Sequence, residues 1–502
     1  MKNKIKCFVS FLILFLAFFF LFSSFWVPDN FGEISFAQII FHIKVPLEGA
    51  NSSLVYDFII KCVVFPIFIA LVLLFLLHKN KKNYIQYTIT SKKTGKEYYF
   101  SILKSMGKHS IIVSLILCIS FFHLCAEKLG FYGYIENLSI QSKIYEKYYV
   151  DASQVSYQFP QEKRNLIYIF LESMETSYYS TDLGGTQENN LIPELYELAQ
   201  QNQVFDGDLN ENRGFYVPEG TGWTAGAMVA QSTGLPLRIP IDGNGYNSEY
   251  FLPGAFAIGE ILNKAGYNQE LLLGSEAEFG GRKYFYTKHG NYHIEDYLSA
   301  KENGWIPKDY YQWWGYEDEK LYEFAKEEVT ALANENEPFN FTMLTADSHF
   351  PDGYRCPQCP DSYDSQYANV LACSSTQVYN FVQWVQEQDF ADNTTIVICG
   401  DHTSMDQGFF QDVDDNYERK GYYVFINSAI QKDSQGRKVT TFDLFPTTLA
   451  SMGITFNSNR LGLGTNLYTD ERTMLELYGF DKLQEELRKN SKFYDNNILY
   501  GD

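Results

Sequence analysis

The chain has 502 residues and a formal net charge of −21, with +7 on residues 1–127 and −28 on the remainder. So acidic a region excludes a nucleic-acid partner, because lysine and arginine would have to neutralise the phosphates. An aromatic content of 17% argues against disorder and for a folded domain outside the cytoplasm. The length accommodates a membrane region followed by one large globular domain.

Phe8 to Val27 follows Lys2, Lys4 and Lys6 and is apolar throughout, long enough to cross a bilayer. Its core is too long for a signal peptide, and Ser23-Ser24-Phe25-Trp26-Val27-Pro28 offers no small-x-small cleavage site, so we read an uncleaved anchor. Further spans are expected over about 55–77, with Pro66 inside, and about 110–126. Phe36 to Ile43 is apolar but too short to cross. Lys79, Lys81, Lys82, Lys92, Lys93, Lys96, Lys104 and Lys108 lie between spans two and three, whereas Lys44 stands beside Asp29, Glu33 and Glu48 between spans one and two. The positive-inside rule then puts the N-terminus and the basic stretch in the cytoplasm. Residues 128–502 follow on the outer face of a cytoplasmic membrane. Within them we expect a tether over 128–160, a catalytic domain over 161–470 and a C-terminal extension over 471–502.

Cys7, Cys62, Cys118 and Cys125 lie in or beside apolar segments and suit small-hydrophobe roles. Cys356-Pro-Gln-Cys359 has the spacing of half a zinc knuckle, but no second pair follows. In an exported domain a disulfide among Cys356, Cys359 and Cys373 is the expectation over metal. Cys399 ends an apolar run and should be buried.

In the large region, Leu166–Leu171 is a continuous apolar run, as for a parallel strand covered on both faces, and it ends on Glu172. Such a carboxylate at a strand exit serves a ligand site, or is simply solvated or caps the next helix. Leu191 to Gln201 has helical spacing, and Val204-Phe205 suggests a short strand. Gly220-Thr221-Gly222-Trp223-Thr224 then leads into the small residues Ala225 to Ala230, which should start a helix. A hydroxyl at that start sits where backbone N–H groups favour an anion, although an N-capping threonine fits too. Leu271–Leu273 reads as a buried strand, and the loop after it carries Arg282, able to fork onto phosphate oxygens or to lie on a charged surface. Phe339 to Leu344 is a strand leading to His349, a candidate acid, ligand or phosphate contact, or a turn histidine bonded to backbone. Thr394–Cys399 is the clearest strand and runs into Gly400-Asp401-His402, where adjacent Asp and His form a ready ligand pair. The glycine is expected to allow the sharp turn this needs. Tyr422–Ile426 and Phe442–Met452 read as a strand and a helix. The alternation predicts an α/β fold with a mainly parallel sheet flanked by helices, preceded by an α-helical transmembrane region.

Glu172, Asp401 and His402 together would bind one divalent ion, with Thr224 as nucleophile and fourth ligand. The reaction is then a double displacement through a phospho-threonine. Residues 128–502 hold only His289, His293, His349 and His402. That supply favours a single-metal site and leaves His349 free to meet substrate or protonate a leaving group.

Asn-Leu-Ile-Tyr-Ile-Phe-Leu-Glu-Ser (165–173), Gly-Thr-Gly-Trp-Thr (220–224), Ser-His-Phe-Pro (348–351), Gly-Asp-His (400–402) and Leu-Gly-Leu-Gly-Thr-Asn-Leu (461–467) resemble the sulfatase-domain phosphoglycerol transferases. These belong to the alkaline phosphatase superfamily and include lipoteichoic acid synthase. The Gly-Thr-Gly-Trp-Thr form looks closest to the branch that adds phosphoglycerol to periplasmic glucans. The resemblance implies phosphatidylglycerol as donor, diacylglycerol as product, a glycan or glycolipid acceptor, and Mn²⁺ at the site, with Mg²⁺ or Zn²⁺ as alternatives. Carried over by position, Glu172, Asp401 and His402 match metal ligands, Thr224 the nucleophile, and Arg282 and His349 substrate-binding positions. The chain departs from lipoteichoic acid synthases in having three expected spans where they usually have five. Ala225-Gly226 also follows the nucleophile in place of Ser-Asp, and Gly274-Ser275-Glu276 stands where a histidine should precede Arg282. A sulfatase would need Cys or Ser in a C/S-x-P-x-R setting, which excludes sulfate-ester hydrolysis. A phosphoethanolamine transferase and a non-catalytic membrane-anchored scaffold are the rival readings.

Overall fold

The structure is a computed structural model that describes residues 2–32, 34–44, 52–79, 87–100, 109–207, 212–238, 251–432 and 436–501. Lys81, Lys82, Lys104 and Lys108 of the basic stretch fall outside them. The chain divides into two units, one made of residues 1–36 and 51–135, the other of 37–50 and 136–502.

In the first unit three helices among the described residues are long and apolar enough to cross a membrane: Lys4–Phe31, Ser53–Leu77 and Ser110–Lys128. They match the three expected segments, each extended by a few residues. Phe20 meets Phe122 edge-on at 5.2 Å, and the Ser10 hydroxyl donates to Ser110 Oγ at 3.0 Å. Trp26 Nε1 donates to Asp57 Oδ2 at 2.7 Å, giving a polar group at the apolar boundary its partner. Pro66 sits at the start of the helical segment Phe65–Lys79, directly after a π-helical stretch, Ile59–Val64. A widened turn is one way to absorb the N–H that proline lacks.

The second unit is built on a six-stranded sheet. Its strands are β1 (Asn165–Leu171), β2 (Asn268–Leu273), β3 (His293–Glu295), β4 (Phe339–Leu344), β5 (Thr394–Gly400) and β6 (Tyr423–Ile426), in spatial order β3-β2-β4-β1-β5-β6. All neighbours are parallel except β5 and β6. β1, β4 and β5 are buried at every position, which explains their unbroken apolar runs: a central parallel strand has no solvent face on which to alternate. Helix Asp318–Ala333 packs on β2 and β4. It buries Leu321, Ala325, Val329 and Leu332 at helical spacing, with Asp318 and Glu319 in its first turn, where the helix dipole favours anions.

Val204–Phe205 is not a strand; a single bridge joins Gln203 to Phe425 instead. β3 lies at the sheet edge and has no apolar run to announce it. The segment expected as a tether is folded over residues 136–160. Helix Ile144–Tyr148 buries Ile144 and Tyr145, and the Tyr145 ring lies 5.2 Å from that of Tyr494. Tyr157–Gln158 pairs antiparallel with Thr455–Phe456. Residues 471–501 are likewise packed, burying Met474, Leu483, Leu487 and Tyr494. Aromatic side chains form much of this packing surface, Tyr148 meeting Tyr478, Tyr149 meeting Phe493 and Tyr157 meeting Phe456.

Candidate active site

Leu171 pairs with Gly400 and Phe170 with Leu344. β1, β5 and β4 therefore end level, and the next residues, Glu172, Asp401 and Thr345, leave the sheet side by side at its carboxyl edge. Glu172 N–H donates to Thr345 Oγ1 at 3.0 Å, and Asp401 N–H to the Leu171 carbonyl at 3.1 Å.

Gly400 is required for a different reason from the turn expected of it. Its φ is not positive; a Cβ there would lie 1.9 Å from the Met174 carbonyl oxygen. Close approach of a neighbouring strand exit is what excludes a side chain. The left-handed residue is Ser173, at φ 54°, an uncommon conformation costing about 1–3 kcal/mol for a non-glycine residue. From that position its N–H donates to Asp401 Oδ1 at 2.8 Å and its hydroxyl to Glu172 Oε1 at 2.8 Å.

Glu172, Asp401 and His402 are buried, and one ligand atom from each lies within 4.8 Å of the others. His402 Nε2 is 3.5 Å from Glu172 Oε1 and 3.3 Å from Asp401 Oδ2. His402 Nδ1 is 2.8 Å from the Thr403 carbonyl, a contact that assigns the proton to Nδ1 and leaves the Nε2 lone pair facing the carboxylates. Asp401 Oδ1 accepts from Ser173 and His402 N–H groups, while Oδ2 is buried with no hydrogen-bond partner among the described residues. Two carboxylates packed together with one orphaned oxygen and an imidazole lone pair are unstable as a neutral packing arrangement and suit a divalent cation. The donor set fits a metal.

The charges agree with this. Burial, reinforced by the Glu172 charge, pushes Asp401 up to about 7. Burial would also raise Glu172, but His349 and His402 outweigh it and hold that carboxyl below its usual range. Burial opposes protonation of His402, yet Asp401 and Glu172 raise it.

Thr224 opens helix Thr224–Thr233, and the residue preceding the helix is Trp223, which makes no side-chain cap. The hydroxyl is therefore not spent on capping; it donates to Glu172 Oε2 at 3.2 Å. Gly226 keeps the entry tight: a Cβ there would lie 2.8 Å from the Gly220 carbonyl oxygen.

Arg282 opens helix Arg282–Lys288 and is buried, with Nε donating to the Phe279 carbonyl at 3.0 Å and Nη2 to the Glu276 carbonyl at 2.8 Å and Ser275 Oγ at 3.1 Å. Burial lowers it to about 10, with Glu172 and Asp401 pulling the other way, so it remains a cation within the field of the carboxylate pair. His349 donates Nδ1–H to the Phe350 carbonyl at 2.7 Å and packs on Trp314 at 4.6 Å. Burial lowers it, against the pull of Glu172, so it is neutral near pH 7. All six residues singled out in the sequence converge on one sheet edge.

Several supporting residues escaped the sequence. Gln231, two turns after Thr224, donates Nε2–H to the carbonyls of Gly400 and Asp401 at 3.1 and 3.4 Å. A lone amide in an Ala-Met-Val-Ala run was its legible signal. Glu175 is paired with Arg419 through Oε1–Nε at 2.8 Å and accepts the Ser404 N–H at 2.9 Å. That pair ties the segments after β1 and β5 together, and nothing local announces it.

Against known proteins, residues 164–454 match the Sulfatase family model. Phosphoglycerol transferase I of Salmonella arizonae is 28% identical over 314 residues, covering 61% of this chain and 39% of that protein. The chain thus spans about two-fifths of the length of the curated relatives it matches. Among solved structures, lipooligosaccharide phosphoethanolamine transferase A (EptA) from Neisseria meningitidis aligns over 89% of this chain and 85% of its own, at 12% identity and a TM-score of 0.50. Lipoteichoic acid synthase LtaP from Listeria monocytogenes aligns over 65% and 80%, at 17% identity and a TM-score of 0.47. The family match covers more than half of the chain and takes in all six converging residues: the chain belongs to the sulfatase family, within the alkaline phosphatase superfamily.

Proposed function

We propose that the protein is a membrane-anchored, metal-dependent transferase that moves sn-glycerol phosphate from phosphatidylglycerol to an extracytoplasmic glycan or glycolipid, releasing diacylglycerol. The observation that carries this reading is the Thr224 hydroxyl at a helix start, 3.2 Å from a carboxylate of the Glu172–Asp401–His402 group. The relation to phosphoglycerol transferase I supports the choice of phosphoryl group.

Glu172, Asp401, His402 and the Thr224 oxygen would hold one divalent ion, Mn²⁺ by resemblance. Such an ion lowers the pKa of the hydroxyl and offsets the charge on the phosphodiester. Thr224 Oγ bonds to phosphorus as the phosphorus–oxygen bond to diacylglycerol breaks, and the threonine proton ends on the diacylglycerol hydroxyl. An acceptor hydroxyl then bonds to phosphorus, the Thr224 ester breaks, and the acceptor's proton returns to Thr224. Arg282 binds the phosphate as a cation, and neutral His349, with Nδ1 tied to Phe350, offers Nε2 to the moving proton. Backbone N–H groups at the start of Thr224–Thr233 face the non-bridging oxygens. With the N-terminus in the cytoplasm, three spans would leave residues 128–502, and the site with them, on the outer side.

The test is headgroup choice. Full-length protein in vesicles of phosphatidylglycerol should release diacylglycerol in the presence of Mn²⁺. Release from phosphatidylethanolamine alone would make it a phosphoethanolamine transferase instead.

A further inference from the structure

The expected disulfide among Cys356, Cys359 and Cys373 is not formed; all three are buried free thiols. The three sulfurs gather at one point instead. One sulfur from each lies within 4.8 Å of the other two, so joining any two would leave the third thiol buried beside the bond. Cys359 Sγ is 3.4 Å and Cys373 Sγ 3.8 Å from Cys356 Sγ. Sulfurs held 2.3 Å from one tetrahedral ion are separated by about 3.8 Å.

Two local structures build this cluster. Cys356-Pro-Gln-Cys359 is a tight turn in which Cys359 N–H donates to the Cys356 carbonyl at 3.1 Å. Cys373 lies on helix Gln366–Gln386, with Gln377 one turn further along the same face. Gln377 Nε2 donates to Cys373 Sγ at 3.3 Å and to Cys356 Sγ at 3.6 Å. Its Oε1 is buried with no hydrogen-bond partner among the described residues. The amide thus lies against the Cys356 and Cys373 sulfurs, and turning it by half a rotation presents the orphaned oxygen to them.

We propose that Cys356, Cys359, Cys373 and Gln377 form a structural site for a thiophilic divalent cation, zinc, separate from the Glu172–Asp401–His402 group. Three thiolates and one neutral oxygen select zinc over the hard cations that suit a carboxylate site. The site staples the loop that follows His349 onto helix Gln366–Gln386. That loop also closes on itself through Tyr354 N–H to the Asp347 carbonyl at 2.7 Å. The staple therefore sets the position of the His349 segment without touching the reacting atoms. The proposal does not depend on the lipid chemistry above.

The experiment uses the full-length protein in detergent, purified without chelator or added metal. A mercurial thiol reagent should release one zinc per chain, seen with a chromophoric zinc indicator. Replacing zinc by Co²⁺ should give a sulfur-to-cobalt charge-transfer band. The band should survive in Asp401→Asn, which damages the other site, and should be lost in Cys373→Ser. Gln377→Ala should keep the fold and release zinc faster than the parent. Absence of thiol-held zinc from the folded parent would overturn the proposal. So would two of the eight cysteines resisting alkylation until reduced, because that shows a disulfide.

Discussion

Thr224 Oγ1 lies 3.2 Å from Glu172 Oε2, although 52 residues separate the two in sequence. Glu172 leaves the sheet at the end of β1, and Thr224 enters from a loop at the start of its own helix. The contact aims a hydroxyl, otherwise suited to capping, at the carboxylate group, and its removal has separable consequences.

Thr224→Ala should lower diacylglycerol release by on the order of 10⁴-fold or more. Ala is a good helix former at a position that makes no cap, so thermal unfolding should stay close to the parent. Calorimetric metal titration should find the ion still bound, since Glu172, Asp401 and His402 remain.

Asp401→Asn separates fold from metal. Oδ1 keeps its bonds from Ser173 and His402 N–H groups, while the charge on Oδ2 disappears. Metal affinity should fall by more than about 100-fold, and the metal-free protein should melt higher than the metal-free parent, because Glu172 no longer faces a second buried carboxylate. Melting curves with and without Mn²⁺ check both directions.

The pH dependence of metal binding follows from the same pair. Asp401 is pushed up to about 7, so the metal-free native state holds a proton there that the unfolded chain has lost. Its contribution to metal-free stability is present at low pH and falls as pH rises from the ordinary aspartate range to about 7. His402, also raised, acts in the same direction. Binding the ion displaces both protons. The rise in melting temperature on adding Mn²⁺ should therefore be larger at pH 8 than at pH 6.

The segments after β1 and β5 depend on Glu175 and Arg419. Arg419→Met leaves a fully buried carboxylate without its partner and should destabilise the domain by about 3–5 kcal/mol. Adding Glu175→Gln should restore much of this, measured by denaturant unfolding.

What could be read from the chain has a physical pattern. β1, β4 and β5 were legible because burial on both faces writes an unbroken apolar run, and their exits at Glu172, His349 and Asp401 were legible with them. Thr224 stood out through its glycine-rich turn. Gly400 was noticed for the wrong reason, since close approach to Met174 is a tertiary fact that no local pattern carries. β3, the folding of 136–160 onto the large domain, and the Glu175–Arg419 pair all rest on partners far away in sequence. The three cysteines were visible as a spacing, but their convergence with Gln377 needed the loop and the helix to be brought together.

The central claim is that Thr224 carries the transferred group. It is tested by incubating the full-length protein with headgroup-labelled phosphatidylglycerol and Mn²⁺, without acceptor, beside Thr224→Ala. The account predicts label on the wild-type protein, mapped to the peptide containing Thr224, with diacylglycerol released and neither event in the variant. Diacylglycerol release that persists in Thr224→Ala, or label on another residue, would contradict it.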